Sequence, residues 1–232
     1  MFKNPFKSFT KWEWILWSVS LIVTLTSNIM CGNIDAITLI ATSMGVTALI
    51  LAARGDVWGQ ILSVIFGILY AVVSYRFRYY GEMITYVGMS VPIAAMSVIT
   101  WLKHPFREDR NEVEIHRLTK TQKVIMVVSA ILVTWVFYYI LKFFDTPNLL
   151  TSTVSVTTSY VACFLLMMRN SYYAVAYAAN DIVLIALWIM ATIESFEYFP
   201  MIICFVMFLV NDLYGFISWK IREGLQAKKN AE

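Results

Sequence analysis

Charge is what this sequence has least of. Only 14% of its 232 residues are Asp, Glu, Lys or Arg, against roughly a quarter in water-soluble proteins. The deficit runs through nearly the whole length, which excludes an ordinary soluble domain and places the chain in a bilayer. Each spanning helix consumes about 20 apolar residues, so the length leaves no room for an additional soluble domain. Function is therefore expected from the embedded bundle itself. Cysteine and histidine are nearly as scarce, at three and two residues. Cys31, Cys163 and Cys204 lie in or beside apolar stretches, without the CxxC or Cys/His spacing that zinc requires, and read as packing residues. His104 and His116 both fall in one polar connector, which excludes histidine-ligated haem or zinc inside the membrane and an intramembrane Ser-His mechanism. No metal and no cofactor is expected. The net charge of +3 is too small, and its basic residues too scattered, to suggest nucleic acid as a partner.

What is present is 59% hydrophobic residues, among them an aromatic fraction of 16%. Apolar runs extend over Trp12–Met30, Ile34–Ala53, Val57–Tyr75, Met83–Leu102, Val124–Leu141, Leu149–Met168, Tyr172–Ile193 and Pro200–Trp219. Eight runs predict an all-α integral membrane protein with eight transmembrane helices, separated by short polar breaks and one longer connector, Lys103–Lys123. The first run exceeds the usual length of a signal-peptide core and has no small-residue cleavage site after it, so it reads as a retained helix. If the N-terminus is cytoplasmic, 15 of the 18 Lys and Arg residues fall inside and only Arg76, Arg78 and Lys142 outside. Basic residues favour the cytoplasmic side. The expectation is a multi-pass protein of the bacterial cytoplasmic (inner) membrane with both termini cytoplasmic and membrane lipid as its surroundings. Trp12, Trp14, Trp17, Trp101 and Trp219 sit at span ends and fit an interfacial aromatic belt. The connector mixes basic with acidic residues and is expected to be solvated and without chemistry. Pro92, in mid-span, is expected to kink the fourth helix.

Sliding the chain against itself by 115 residues aligns Asn33-Ile34-Asp35-Ala36-Ile37-Thr38 with Asn148-Leu149-Leu150-Thr151-Ser152-Thr153. Without gaps, Thr42 then meets Thr157, Ser43 meets Thr158, Leu51 meets Leu166 and Arg54 meets Arg169. Three extra residues in the later loop bring Tyr80 to Tyr198 and Trp101 to Trp219. The single membrane domain 1–232 thus divides into an N-terminal tail and extra helix (1–33), a first unit (34–102), a connector and linker helix (103–147), a second unit (148–219) and a cytoplasmic tail (220–232). This 1+3+1+3 plan gives two three-span units of equal topology, related by an axis along the membrane normal. Parallel repeats of this kind characterise one class of transporters, in which substrate is held near the midplane between the halves.

Side-chain amides without partners are expensive in hydrocarbon, and several here share a helical face. Tyr173, Tyr177, Asn180, Leu184 and Trp188 of the seventh span occupy one face about 80° wide at ~100° per residue. Gln60, Ser63, Gly67, Tyr70 and Ser74 form a second face on the third span, and Asn211, Tyr214 and Ser218 a third on the eighth. Aromatic rings beside amides suit a neutral or cationic planar heteroaromatic ring that carries an amide and a sugar. The competing reading is that Asn and Gln only glue helices together, at ~0.6 kcal/mol per bond; three such faces in one bundle favour a shared cavity. The Ser and Thr residues between Thr151 and Ser159 can satisfy their own backbone carbonyls. Asp181 and Asp212 are the most expensive residues in the bundle if charged. They fit a proton-coupling pair, an aspartyl dyad of an intramembrane enzyme, or members of a polar cluster near a helix end.

Val57–Tyr75, Asn148–Ile193 and Asn211–Trp219 resemble the PnuC family of bacterial nicotinamide riboside transporters. The resemblance rests on Trp58-Gly59 followed by Phe66-Gly67, on Asn180, and on Asn211-x-x-Tyr214-Gly215-x-x-x-Trp219. It implies a 3+1+3 parallel repeat with an extra N-terminal helix, similar in architecture to the sugar-transporting SWEET proteins with altered packing. It further implies that the protein is not an enzyme but takes up nicotinamide riboside by facilitated diffusion, as a homotrimer, with a cytoplasmic riboside kinase trapping the product. Sister groups move thiamine or riboflavin, which are the alternative small-molecule substrates. Ala176 stands where members often carry Trp, and the Asn-x-Tyr-Gly pattern of the first repeat has no counterpart at Pro92–Ala95. The expected substrate-binding residues are Asn180, Gln60 and Asn211 for amide or ribose groups, and Trp188, Tyr177, Tyr173, Tyr70 and Tyr214 around the ring. No catalytic residue is expected.

Overall fold

The computed structural model describes residues 4–30, 32, 35–76, 80–106 and 112–229. Cys31, the Asn33 end of the repeat alignment, and Lys3, Arg78, Arg107 and Arg110 of the charge count lie outside the described residues.

In hydrocarbon every backbone polar group must be satisfied within the chain, and helices do this locally. The described residues accordingly form α1 (Lys11–Met30), α2 (Ala36–Ala53), α3 (Val57–Arg76), α4 (Tyr80–Thr85), α5 (Val91–Lys103), α6 (Lys120–Phe143), α7 (Leu149–Met167), α8 (Tyr173–Glu194) and α9 (Phe199–Lys229). With α4 and α5 taken as one span, eight helices are long and apolar enough to cross a membrane, as the apolar runs predict. Polar residues set several starts. Asp35 caps α2 by accepting from Thr38 N (3.1 Å), and Thr119 and Gln122 form a reciprocal capping box on α6. The fourth span departs from a plain proline kink. A π-helical turn, Tyr86–Ser90, joins α4 to α5, with Val91 N donating to Tyr86 O just before Pro92. Proline lacks the donor an uninterrupted α-helix would need there, and the wider turn absorbs that loss.

Six of the spans pack as a closed ring. α2 lies against α3, α3 against α5, α5 against α7, α7 against α8, α8 against α9, and α9 returns to α2. Outside the ring, α1 abuts α2 and α9, while α6 abuts α7 and α4. Close approach is achieved at glycine: a Cβ on Gly59 would stand 2.9 Å from Ala52 Cα, and one on Gly67 would overlap Val91 Cγ2. Two of the motif glycines are thus contact points between helix axes.

One end of the ring is locked by matched bonds. α2 and α7 both end on a residue in the left-handed region, Gly55 (φ 68°) and Arg169 (φ 58°). Gly55 N donates to Ala52 O (2.8 Å) and Asp56 N to Leu51 O (3.0 Å); Arg169 N donates to Leu166 O (2.9 Å) and Asn170 N to Leu165 O (2.9 Å). Both are Schellman caps. Trp219 Nε1, from the last span, adds a second donor to Ala52 O (2.9 Å), and Trp101 Nε1 does the same to Leu166 O (3.1 Å). Equivalent positions here are 52 with 166 and 55 with 169, an offset of 114, so the Arg54–Arg169 match of the 115 alignment is displaced by one residue. Trp101 and Trp219 are not belt residues. They are 2% and 0% exposed and lie with ring centroids 5.7 Å apart, whereas Trp12, at 75% exposed, does face outward.

The connector is not simply solvated. Val113 is 2% exposed within the same core as Trp101 and Trp219, its N–H donates to Gly55 O (2.9 Å), and His116 N donates to Arg169 O (2.9 Å). It therefore ties the two caps together. The segment expected as a tail continues α9 past Trp219 to Lys229. Gln226 on this extension accepts from Ile115 N (2.9 Å) and donates to Val113 O (3.1 Å), and Arg222 pairs with Glu112 (3.0 Å).

Trp219→Phe keeps the ring but removes the indole donor, and should lower unfolding stability by about 1–3 kcal/mol. Trp219→Ala should cost about 3–5 kcal/mol. Melting of the purified protein in detergent measures both, and Trp101→Phe should mirror the first; wild-type melting in these variants would mean the indoles do not hold the end of the ring.

Candidate functional site

The ring encloses a cavity of about 440 Å³, within the range of small-molecule sites. It runs from Tyr80–Glu82 at the start of α4, the loop residues Phe144–Asn148, Glu194 at the end of α8 and Tyr198 at one end to Tyr173, Leu166 and Ala52 beside the tryptophan lock at the other. Six of the eight expected site residues line it: Asn180, Trp188, Tyr177, Tyr173, Gln60 and Tyr70.

The wall from α3 carries Gln60, Ser63, Phe66, Gly67 and Tyr70, spaced so that one helix face points inward. Tyr86 of the π-turn completes an aromatic group with Tyr70 (centroids 4.5 Å) and, edge-on, Phe66 (6.0 Å). Tyr70 OH donates to Glu82 Oε2 (2.7 Å). The wall from α8 carries Tyr173, Tyr177, Asn180, Asp181, Leu184 and Trp188. Asn180 Oδ1 accepts from Thr158 Oγ1 (2.8 Å) and Ser155 Oγ (3.2 Å) of α7, which fixes the amide against α7. Other hydroxyls on α7 bond to their own backbone as expected, Thr153 to Leu149 O (2.7 Å) and Thr157 to Thr153 O (2.9 Å). Tyr173 stacks edge-on against Trp219 (4.8 Å) and forms the floor; Trp188 lies beside Tyr198 (5.7 Å) near the opposite rim.

Two expected site residues lie elsewhere. Asn211 and Tyr214 are not on the cavity wall; they turn toward α1. Asn211 Nδ2 donates to Ser20 Oγ (2.9 Å) and Met207 O (2.8 Å), and Tyr214 OH donates to Glu13 Oε1 (2.9 Å), whose Oε2 meets Arg54 Nη1 (2.6 Å). Their face of α9 holds the extra helix. The cavity face of α9 is the neighbouring one, with Phe205, Phe208 and Asp212. Asp212 lies close enough to Asp181 to interact with it directly, so the two intramembrane aspartates meet as a pair on the cavity wall. Glu82 and Tyr86 are further wall residues outside the expected set. Helix α4 begins at Tyr80 and carries Glu82 inside, a start that the polar appearance of residues 76–82 hides. Cys163, read as packing, is buried on the wall with its Sγ 3.0 Å from Tyr177 OH. Among the described residues no group of three or more His, Cys, Asp or Glu side chains is placed to hold a metal ion.

A ring of apolar helices around a wall of amides, hydroxyls and aromatic rings is the architecture of a small-molecule membrane transporter, and the class is that of polytopic carriers rather than enzymes. The chain belongs to the nicotinamide mononucleotide transporter family, which matches residues 35–221, so that α1 alone among the spans lies outside the match. It is 28% identical over 184 residues to the nicotinamide riboside transporter PnuC of Neisseria mucosa, covering 78% of this chain and 70% of that one. Its fold is similar to the crystal structure of the vitamin B3 transporter PnuC, with a TM-score of 0.79, 25% sequence identity and 94% of each chain covered. The PnuC resemblance read from the sequence holds.

Asn211→Ala removes the contact from α9 to Ser20 and should lower stability by about 1 kcal/mol. Being outside the cavity, it should leave nicotinamide riboside affinity by titration calorimetry within about twofold; a large loss of affinity with an unchanged melting point would put Asn211 back in the site.

Proposed function

We propose that this protein carries nicotinamide riboside across the bacterial inner membrane by facilitated diffusion. The observation that carries the reading is the composition of the cavity wall: amides on two sides, aromatic rings between them, and no Lys, Arg or His among the described lining residues. Nicotinamide riboside has a cationic pyridinium ring, a carboxamide and a ribose, each of which has a partner of suitable chemistry here. The family's description names the mononucleotide and the Neisseria relative is named for the riboside; the difference is a phosphate, which would need cationic or N–H-rich partners. This wall offers carboxylates instead.

Asn180 and Gln60 would bind the carboxamide or ribose, with Trp188, Tyr177, Tyr173 and Tyr70 flanking the ring. Asn211 and Tyr214 leave that set. The units 34–102 and 148–219 would be parallel repeats, a reading supported by the paired caps and reciprocal indole bonds. With both termini cytoplasmic, the locked end faces inward and the cavity is reached from outside, a loading state. Capture by a cytoplasmic riboside kinase and assembly as a homotrimer complete the proposal. Thiamine is the second reading, because its thiazolium ring is also an aromatic cation; riboflavin, which is neutral, suits this wall less well.

The test is counterflow of labelled nicotinamide riboside into proteoliposomes preloaded with unlabelled nicotinamide riboside, thiamine or riboflavin, without ATP or an ion gradient. Accumulation should follow preloading with the riboside. No counterflow with any of the three, in folded protein, would remove the reading. Asn180→Ala and Gln60→Ala should each weaken riboside binding by about tenfold, the value of one or two buried hydrogen bonds.

A further inference from the structure

We propose that Asp181, paired with Asp212, is a counter-ion site of single charge for a cationic heteroaromatic ring, and that this pair sets the charge selectivity of the cavity. The inference rests on the riboside reading above and names the residues that would recognise the ring's charge.

Asp181 on α8 and Asp212 on α9 are 3% and 4% exposed, line the same cavity and lie close enough to interact directly. Adjacent buried carboxylates settle into sharing one proton. The pair then presents one negative charge. Among the described residues no Lys, Arg or His lines the cavity to balance it. The buried arginines pair elsewhere, Arg54 with Glu13 and Arg169 with Glu114. A buried charge without a counter-ion is costly in a membrane protein, and a cationic ligand removes that cost.

Two further observations point to a ligand rather than to helix glue. Asp181 Oδ2 has no hydrogen-bond partner, and neither has Nε2 of Gln60, which is 1% exposed on the α3 wall. An unused acceptor and an unused donor thus belong to residues that line one cavity. Asp181 also lies one turn from Tyr177 and two from Trp188 along the same helix, which places the charge beside the rings proposed to flank the ligand.

The experiment is titration calorimetry on the full-length protein in detergent with nicotinamide riboside and with its 1,4-dihydro form, which keeps the carboxamide and ribose but has a neutral ring. Wild type should bind the cation at least about tenfold more tightly. Asp212→Asn should retain that preference, since the amide can donate to an Asp181 that keeps its charge. In the double variant Asp181→Asn/Asp212→Asn the preference should collapse, by loss of affinity for the cation and not for the neutral form. Equal binding of both forms to wild type, loss of the preference in Asp212→Asn, or its persistence in a folded double variant would each overturn the inference. Should the double variant fail to fold, wild type and Asp212→Asn decide. Equal binding to wild type leaves the riboside reading standing, while failure of both forms to bind and of counterflow removes both.

Discussion

Everything else in this bundle depends on how its two halves grip each other at the end that carries both termini. Trp219 of the last span donates to Ala52 O at the end of the first span of the other half, and Trp101 donates to Leu166 O in return. Each acceptor already serves a Schellman cap, so the helix end and the inter-half contact are one structure. The bonds are buried, where an unmade partner is most costly. They close the ring between α9 and α2 and between α5 and α7, and they place Trp219 where Tyr173 packs against it. The position of Tyr173 sets the rotation of α8, and that rotation turns Asn180, Asp181 and Trp188 toward the cavity. The connector, bonded through Val113 and His116 to the carbonyls of Gly55 and Arg169, braces both caps at once.

A carrier must expose its site at each end in turn, and the locked end is made of parts that can come apart without unfolding a helix. The indole bonds end on last-turn carbonyls of α2 and α7 and the two connector bonds on Gly55 and Arg169 just past the helix ends, so none engages the middle of a span. Arg169 holds a left-handed conformation that is unusual for a side chain with a Cβ, supported by the bonds from His116 N to its carbonyl and from its guanidinium to Glu114 O (3.2 Å). Gly55, at the equivalent point, needs no such support. The two halves therefore close by the same geometry with different local stability.

The spans were legible in the sequence because hydropathy reports insertion directly, and the PnuC resemblance was legible in Trp58-Gly59, Asn180 and the Asn211–Trp219 pattern. Which face of a span looks inward was legible on α8 and not on α9. On α8 the amide, phenols and indole share one stripe, and that stripe lines the cavity. On α9 a polar stripe also exists, but it serves α1, and the cavity face one residue along holds two phenylalanines and Asp212. Polarity in a membrane helix marks a partner without saying whether the partner is a ligand or another helix. Trp101 and Trp219 misled for a related reason: an indole at a span end suits the lipid headgroups and a buried carbonyl equally well. The connector's composition concealed Val113, since one buried valine among charges leaves no pattern. Glu82 was hidden because a charged residue at a span boundary reads as loop until the helix start is seen.

The distribution of charge across the bundle follows from these placements. Arginine and lysine make their ion pairs at the ends of the bundle, Arg54 with Glu13, Arg222 with Glu112 and Arg117 with Glu223 at one end, and Arg76 with Asp35 at the other. Among the described residues Glu82, Asp145, Glu194, Asp181 and Asp212 are the acids of the cavity wall, and no base accompanies them. A cation entering at the rim meets Glu82, Asp145 and Glu194 there and Asp181 deeper in, while an anion meets no Lys, Arg or His among the described wall residues. Conduction also requires that the ligand leave, so the site must not bind too tightly. Two fully charged aspartates side by side would hold a monocation strongly and repel each other when it left. Under the proposed sharing of one proton, the pair presents one charge to a singly cationic ring and keeps the cost of the empty site down.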